Sequence, residues 1–263
     1  MNTPKQLAAA NHVAALETVK PLSLKGVSFR EFLLEHRRYP VIAVTGQSGV
    51  GKTTFTDLLV SHIAEAVKND GSLEPPAVKK LTELPQMSPY LPIIKATADG
   101  LSDQTLWEKN QELFRALDEA VVTRAFLESR DSVVVMDFAI VQVLVYAHIK
   151  IRGESRRKFA RDFDASFLEL PKPDFVVHVG ARPETVLSRL ERRGSYIDGE
   201  IVSITDKLHA FYDKNRRDIL GEYYDGVPVI RVETDDLDLV GDAAAKTAAT
   251  KRAVEETLFR MAA

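Results

Sequence analysis

The 263-residue chain has no cysteine, which excludes disulfides, thiolate metal sites and a cysteine nucleophile and fits a reducing compartment. Long apolar runs are also missing. The longest, near Val133–Ala147, is broken by Asp137 and Gln142 and falls short of the ~18 residues that a membrane span needs. The first residues carry no apolar stretch of the secretory type, so a cytoplasmic location is expected. Neither sign of charge is in excess: 35 Lys and Arg stand against 38 Asp and Glu, a net charge of -3. That balance gives no reason to expect a broad nucleic-acid-binding face. The six histidines show no metal-ligand spacing, no nucleophile elbow of the G-x-S-x-G type occurs, and no internal repeat is visible.

What remains is an ordinary globular composition, 45% hydrophobic and 28% charged. Residues 1–38 read as a helical extension and residues 39–263 as one domain. Short apolar runs alternate with helical patterns along that domain. Strands are expected at Tyr39–Thr45, Ala77–Glu83, Ser132–Asp137, Pro173–Val179 and Val227–Val232. Helices are expected at Lys52–Val67, Ser102–Glu128, Ile140–Ile151, Glu154–Leu168, Pro183–Arg193, Ile201–Leu220 and Leu237–Met261. Five strands alternating with helices predict an α/β fold, a parallel sheet covered on both faces.

The first strand runs into Gly46-Gln47-Ser48-Gly49-Val50-Gly51-Lys52-Thr53, which matches G-x-x-x-x-G-K-[ST]. Glycines let such a loop wrap a phosphate with its N–H groups inward, and the helix that follows offers its N-terminus to the anion. Gly46, Ser48, Gly49, Val50, Gly51, Lys52, Thr53 and Thr54 are therefore the candidate nucleotide-binding residues. Lys52 reaches the β- and γ-phosphates, and the Thr53 hydroxyl suits Mg²⁺. No N-K-x-D guanine-recognition motif is present, so ATP is the expected donor. Asp137 ends an apolar strand beside this P-loop, where a carboxylate holds Mg²⁺ directly or through water.

Further segments, taken with the P-loop, resemble the deoxynucleoside kinases and the related thymidylate kinases, from about Tyr39 to Val232. Glu83-Leu84-Pro85 followed by Ser88-Pro89-Tyr90-Leu91 is similar to the family's acidic residue and its Asn-Pro-Tyr-Leu stretch. The resemblance implies that Glu83 is the general base for a sugar hydroxyl and that Tyr90 lies in the acceptor site. Trp107 and Gln111 resemble the family's base-binding helix, with a spacing one residue shorter. Pro173-Asp174-Phe175-Val176-Val177 is similar to the family's Pro-Asp-leading strand. Arg189-Leu190-Glu191-Arg192-Arg193-Gly194 resembles its arginine lid, which makes Arg189, Arg192 and Arg193 candidates for closing over the transferred phosphoryl group. The implied architecture is a P-loop kinase fold with strand order 2-3-1-4-5, often dimeric.

The pattern breaks after the third strand. The family has Glu-Arg-Ser and then Asp-Arg; this chain has Asp137-Phe138-Ala139-Ile140-Val141 and keeps only the acid. The basic run Arg156, Arg157, Lys158 and Arg161 is a candidate replacement for the missing arginines. The expected function is Mg-ATP-dependent phosphoryl transfer to a hydroxyl of a nucleoside-like small molecule. Two other acceptors stay open, a nucleoside monophosphate and a modified base in DNA. So does a non-catalytic ATP-binding switch.

Overall fold

A computed structural model describes residues 38–69, 75–82, 104–193, 204–214, 216–237 and 243–262. All of the proposed extension but Arg38 lies outside these residues, as do Glu83, Tyr90 and the side chain of Trp107.

The strands are β1 (Val41–Thr45), β2 (Ala77–Leu81), β3 (Ser132–Met136), β4 (Phe175–Gly180) and β5 (Val229–Glu233). The helices are α1 (Lys52–Asn69), α2 (Gln104–Glu128), α3 (Val141–Lys150), α4 (Gly153–Leu168), α5 (Pro183–Arg193), α6 (Thr205–Tyr212), α7 (Ile219–Tyr223) and α8 (Ala243–Ala262). The five strands form one parallel sheet in the order β2-β3-β1-β4-β5. The order expected from the resemblance is therefore the order present.

The central strands β1, β3 and β4 are largely apolar on both faces because helices cover both, whereas the edge strands β2 and β5 are partly exposed. Every residue of β1 and β3 is buried. On one face Val41, Ala43, Val134, Met136 and Val176 pack with Phe126 of α2, Leu144 of α3, Phe163 of α4 and Leu208 of α6. On the other, Ile42, Val44, Val135 and Val177 pack with Phe55 and Leu59 of α1, Leu190 of α5 and Val254 of α8. Period-two alternation along the central strands sends their apolar side chains alternately to one core and the other.

Parallel pairing brings all the strand C-termini to one edge. Val41 pairs with Val134 on one side, and Ile42 pairs with Phe175 on the other. The loops after β1, β3 and β4 therefore converge, which is where ligands bind in open α/β sheets. Asp174 fixes the entry to β4: its backbone N–H donates to the Val41 carbonyl at 2.8 Å, and its carboxylate accepts the Val41 N–H at 2.7 Å.

One expected element is different. Ile201–Leu220 is not a single helix within its described part: α6 ends at Tyr212, and α7 starts at Ile219. Asp213 is extended, with φ −71° and ψ 110°, which stops the helical ladder. Asp218 then begins a new helix by accepting the Gly221 N–H at 3.1 Å. Arg231 of β5 spans the break, donating to the Tyr212 carbonyl at 2.9 Å and to Asp218 at 2.7 Å. Leu237, the expected start of the final helix, is not helical, and within the described residues α8 runs over Ala243–Ala262.

Candidate active site

The loop between β1 and α1 is shaped by what its glycines avoid. A Cβ on Gly46 would stand 2.3 Å from the Val179 carbonyl of β4, so only glycine lets the loop cross the sheet edge there. Gly49 has φ +88° and lies against Val186 and Leu190 of α5. Gly51 has φ +89°, and its carbonyl accepts the Phe55 N–H at 3.0 Å as the first turn of α1 forms. This turn leads into the N-terminus of α1, the strand-loop-helix arrangement in which an anion cradle is expected.

Lys52 reaches across from α1 to the end of β3. Its ammonium donates to the Asp137 carbonyl at 2.6 Å and stands 3.7 Å from the Asp137 carboxylate. Asp137 is only 9% exposed. Its N–H still follows the ladder, donating to Leu81 of β2 at 2.8 Å. Its Oδ1 accepts the Thr56 hydroxyl at 3.0 Å. The fold thus brings Lys52 and Asp137 together, far apart as they are in sequence. Thr53 is exposed at the start of α1. Hydroxyl and carboxylate oxygens are the donors Mg²⁺ selects, so Thr53 and Asp137 fit that ion in chemical type. Among the described residues no three His, Cys, Asp or Glu side chains gather as a metal cage. Nucleotide-bound Mg²⁺ needs none, since phosphates and water supply most of its ligands.

Lys80 belongs to this group and was not among the expected site residues. Its ammonium lies 3.5 Å from Asp137 Oδ2 and 2.6 Å from Asp57 Oδ1 of α1. The signal was available: Lys80 and Val78 share one face of β2 by alternation, and Val78 packs toward α1. A lysine on the α1 face of a strand needs an acidic partner, and Asp57 and Asp137 supply two.

The three arginines of the candidate lid divide. Arg189 is 6% exposed and turned into the protein. One terminal nitrogen donates to the Val50 carbonyl and the Thr234 hydroxyl, both at 3.0 Å. The other donates to the carbonyls of Thr234 at 2.6 Å and Leu237 at 2.8 Å. The four terminal N–H bonds of Arg189 thus hold the P-loop to the loop after β5. The Thr234 hydroxyl, 2.8 Å from the Val50 carbonyl and 2.9 Å from that of Gly180, strengthens the same joint. Arg192 is exposed, and the Arg193 side chain lies outside the described residues. The loop after β5 is fixed to the start of α5 by Asp235, which accepts the Arg182 N–H at 2.9 Å and the Thr185 hydroxyl at 2.6 Å. Burial alone would raise the Asp235 carboxyl, but these hydrogen bonds and the Arg182 guanidinium hold it below the ordinary range.

Gln111 is buried on α2. Phe138, which follows Asp137 where the related kinases carry arginine, is 0% exposed and part of the core with Ile140, Val141 and Leu144. Arg156, Arg157, Lys158 and Arg161, the basic run on α4, are all exposed. Arg157 and Arg161 pair with Glu154, at 2.7 and 3.7 Å, and Lys158 pairs with Asp162 at 3.1 Å, all on an exposed helix face.

A family model for deoxynucleoside kinases matches residues 42–258. The deoxyguanosine kinase of Bacillus subtilis (strain 168) is 24% identical over 178 residues, 66% of this chain and 77% of that protein. A solved structure of deoxyadenosine kinase from M. mycoides with dCMP and a flexible dCDP bound superposes with a TM-score of 0.57 at 15% identity. It covers 84% of this chain and 98% of that one. The same enzyme with bound dATP gives a TM-score of 0.52 at 14% identity, covering 83% and 99%.

Proposed function

The chain belongs to the deoxynucleoside kinase family, an ATP-dependent kinase of nucleosides, and from that premise we propose how its residues divide the work. The amides of Gly46–Thr53 hold the phosphates of ATP, and the Lys52 ammonium offsets charge on the β- and γ-phosphates. Thr53 and Asp137 hold Mg²⁺, which neutralises charge as the terminal phosphoryl group moves. Glu83, two positions beyond the end of β2, takes the proton of the acceptor hydroxyl. Gln111 on α2, with Tyr90 and Trp107, contacts the nucleobase. Arg192 and Arg193 close over the transferring group. Arg189 positions the cradle by holding the Val50 carbonyl and touches no substrate.

The observation that carries this reading is the junction of Lys52 with Asp137, a P-loop lysine meeting the carboxylate at the end of the neighbouring strand. The ion-paired face of α4 lends no support to a DNA acceptor.

The test is a Mg-ATP assay with products identified by mass. Its panel holds deoxynucleosides, their monophosphates, and DNA with ordinary and hydroxymethylated bases. A deoxynucleoside monophosphate as product is expected. In Glu83→Gln its formation falls about 10²–10⁴-fold with ATP binding intact. Phosphorylation of only the monophosphates or only the DNA overturns the acceptor assignment, and an unchanged rate in Glu83→Gln removes Glu83 as the base.

A further inference from the structure

One charged group beside Asp137 has no part in the reaction above. Lys80 of β2 lies 2.6 Å from Asp57 Oδ1 and 3.5 Å from Asp137 Oδ2, so one ammonium bridges two carboxylates. We propose that Lys80 is a positioning residue for phosphoryl transfer: tied to Asp57, it holds the Asp137 carboxylate in the orientation that receives Mg²⁺. This role rests on the assignment of Asp137 to Mg²⁺ made above.

The two carboxylate oxygens of Asp137 have different neighbours. Oδ1 accepts the Thr56 hydroxyl at 3.0 Å and stands 3.7 Å from the Lys52 ammonium. Oδ2 faces Lys80. Lys52 belongs to the nucleotide cradle, and the proposed reaction turns its ammonium toward phosphate. A carboxylate as buried as that of Asp137 is costly to leave without a cation. Lys80 is the cation that stays. Its backbone is fixed in the sheet, in register with Val135 of β3. Its ammonium is fixed by Asp57 of α1, the helix that starts at the cradle. The neighbouring Lys79 points to the opposite face and pairs with Glu128 of α2 at 3.3 Å, so it cannot take over.

The charges match this role. Asp57 offsets the charge of Lys80, so the pair adds no net charge beside Asp137. It orients the carboxylate without repelling a divalent cation. A lysine without Asp57 would compete with Mg²⁺ for Asp137. Two carboxylates without Lys80 would repel each other and lose their relative position. Partners that hold a metal-binding side chain in this way are worth about 10–100-fold in metal affinity. A staple that only joins β2 to α1 would use the same contacts but predict a different result. A staple sets stability, whereas a positioning residue sets how strongly Mg²⁺ tightens nucleotide binding.

Calorimetric titration of the full chain with a non-hydrolysable ATP analogue, in EDTA and in Mg²⁺, gives that coupling as the ratio of the two Kd values. Asp137→Asn is the reference and loses most of the coupling. Asp57→Asn, at a side chain that is 60% exposed, carries little folding risk. It frees Lys80 to compete for Asp137, and the coupling falls about tenfold. Lys80→Met combined with Asp57→Asn keeps the net charge and removes the tether, and the coupling again falls about tenfold. In both, an unchanged Kd in EDTA reports an intact cradle. Lys80→Arg keeps a cation between the carboxylates and retains the coupling. Unchanged coupling in Asp57→Asn or in the double variant, with Asp137→Asn impaired, overturns the proposal and leaves a staple. An equal loss in Lys80→Arg overturns it too, since the packing of β2 and not the cation would then set the coupling. Unchanged coupling in Asp137→Asn instead removes Asp137 from the Mg²⁺ site, and the proposal with it.

Discussion

At the scale of single residues, sequence resemblance and geometry give Arg189 different work. By spacing it shares a helix face with Arg192 and Arg193; by burial it belongs to the interior. Replacing it with methionine keeps volume but removes the donors to the carbonyls of Thr234 and Leu237 and leaves that of Val50 to the Thr234 hydroxyl alone. Each unsatisfied buried group costs about 1–3 kcal/mol, so Arg189→Met should lose roughly 3 kcal/mol or more of stability in urea unfolding and raise KM for ATP as the cradle loosens. A variant with ordinary stability and KM but a reduced kcat would instead place Arg189 on the transferring group. The P-loop residues were legible because their types are dictated by the anion they wrap, and Gly46 has no alternative beside Val179. Alternation put Lys80 on the α1 face of β2 beside Val78, but which acids meet it there was not legible, because Asp57 and Asp137 come from other elements and reach it only in the folded sheet.

At the scale of elements, the alternation of buried strands and amphipathic helices could be read directly, since a strand covered on both faces is apolar throughout. The break between α6 and α7 could not. The run from Thr205 to Leu220 has no Pro or Gly, and the interruption is imposed by Arg231, which claims the Tyr212 carbonyl and the Asp218 carboxylate from a strand later in the chain. Asp218 is thus both helix cap and ion-pair partner. Asp218→Ala should cost about 1–2 kcal/mol, the usual loss for a cap, with the half-buried Arg231 pair placing it in the upper part of that range. Differential scanning calorimetry checks this as a drop of a few degrees in Tm. An unchanged Tm would mean that the packing of Ile219 and Leu220, rather than the cap, defines the start of α7.

At the scale of the whole molecule, the sheet carries an acid-sensitive group in its interior. His178 titrates near 3 in the folded chain and near 6.5 when unfolded. Between those values the unfolded state binds the extra proton, so stability is full above about pH 6.5 and falls by ~1.4 kcal/mol per unit of pH toward 3. Arg231 and His209 deepen this depression, and Asp218 opposes it. Burial also lowers the His148 imidazole, which adds in the same direction. Urea unfolding should therefore show a loss of about 2 kcal/mol from His178 alone between neutral pH and pH 5, and His178→Phe should remove that part of the slope. The convergence of loops at one edge follows from parallel pairing, and it places Lys52 and Asp137 together, where the proposed function puts the reactive end of ATP. The most direct test of that placement is deoxynucleoside-dependent ADP formation by the unaltered chain and by Lys52→Ala, each at saturating Mg-ATP. We predict turnover that depends on the deoxynucleoside and falls about 10²–10³-fold in Lys52→Ala at unchanged Tm, the usual loss when a donor to the transition state is removed. Equal turnover in the two proteins, or turnover indifferent to any deoxynucleoside, would contradict the account.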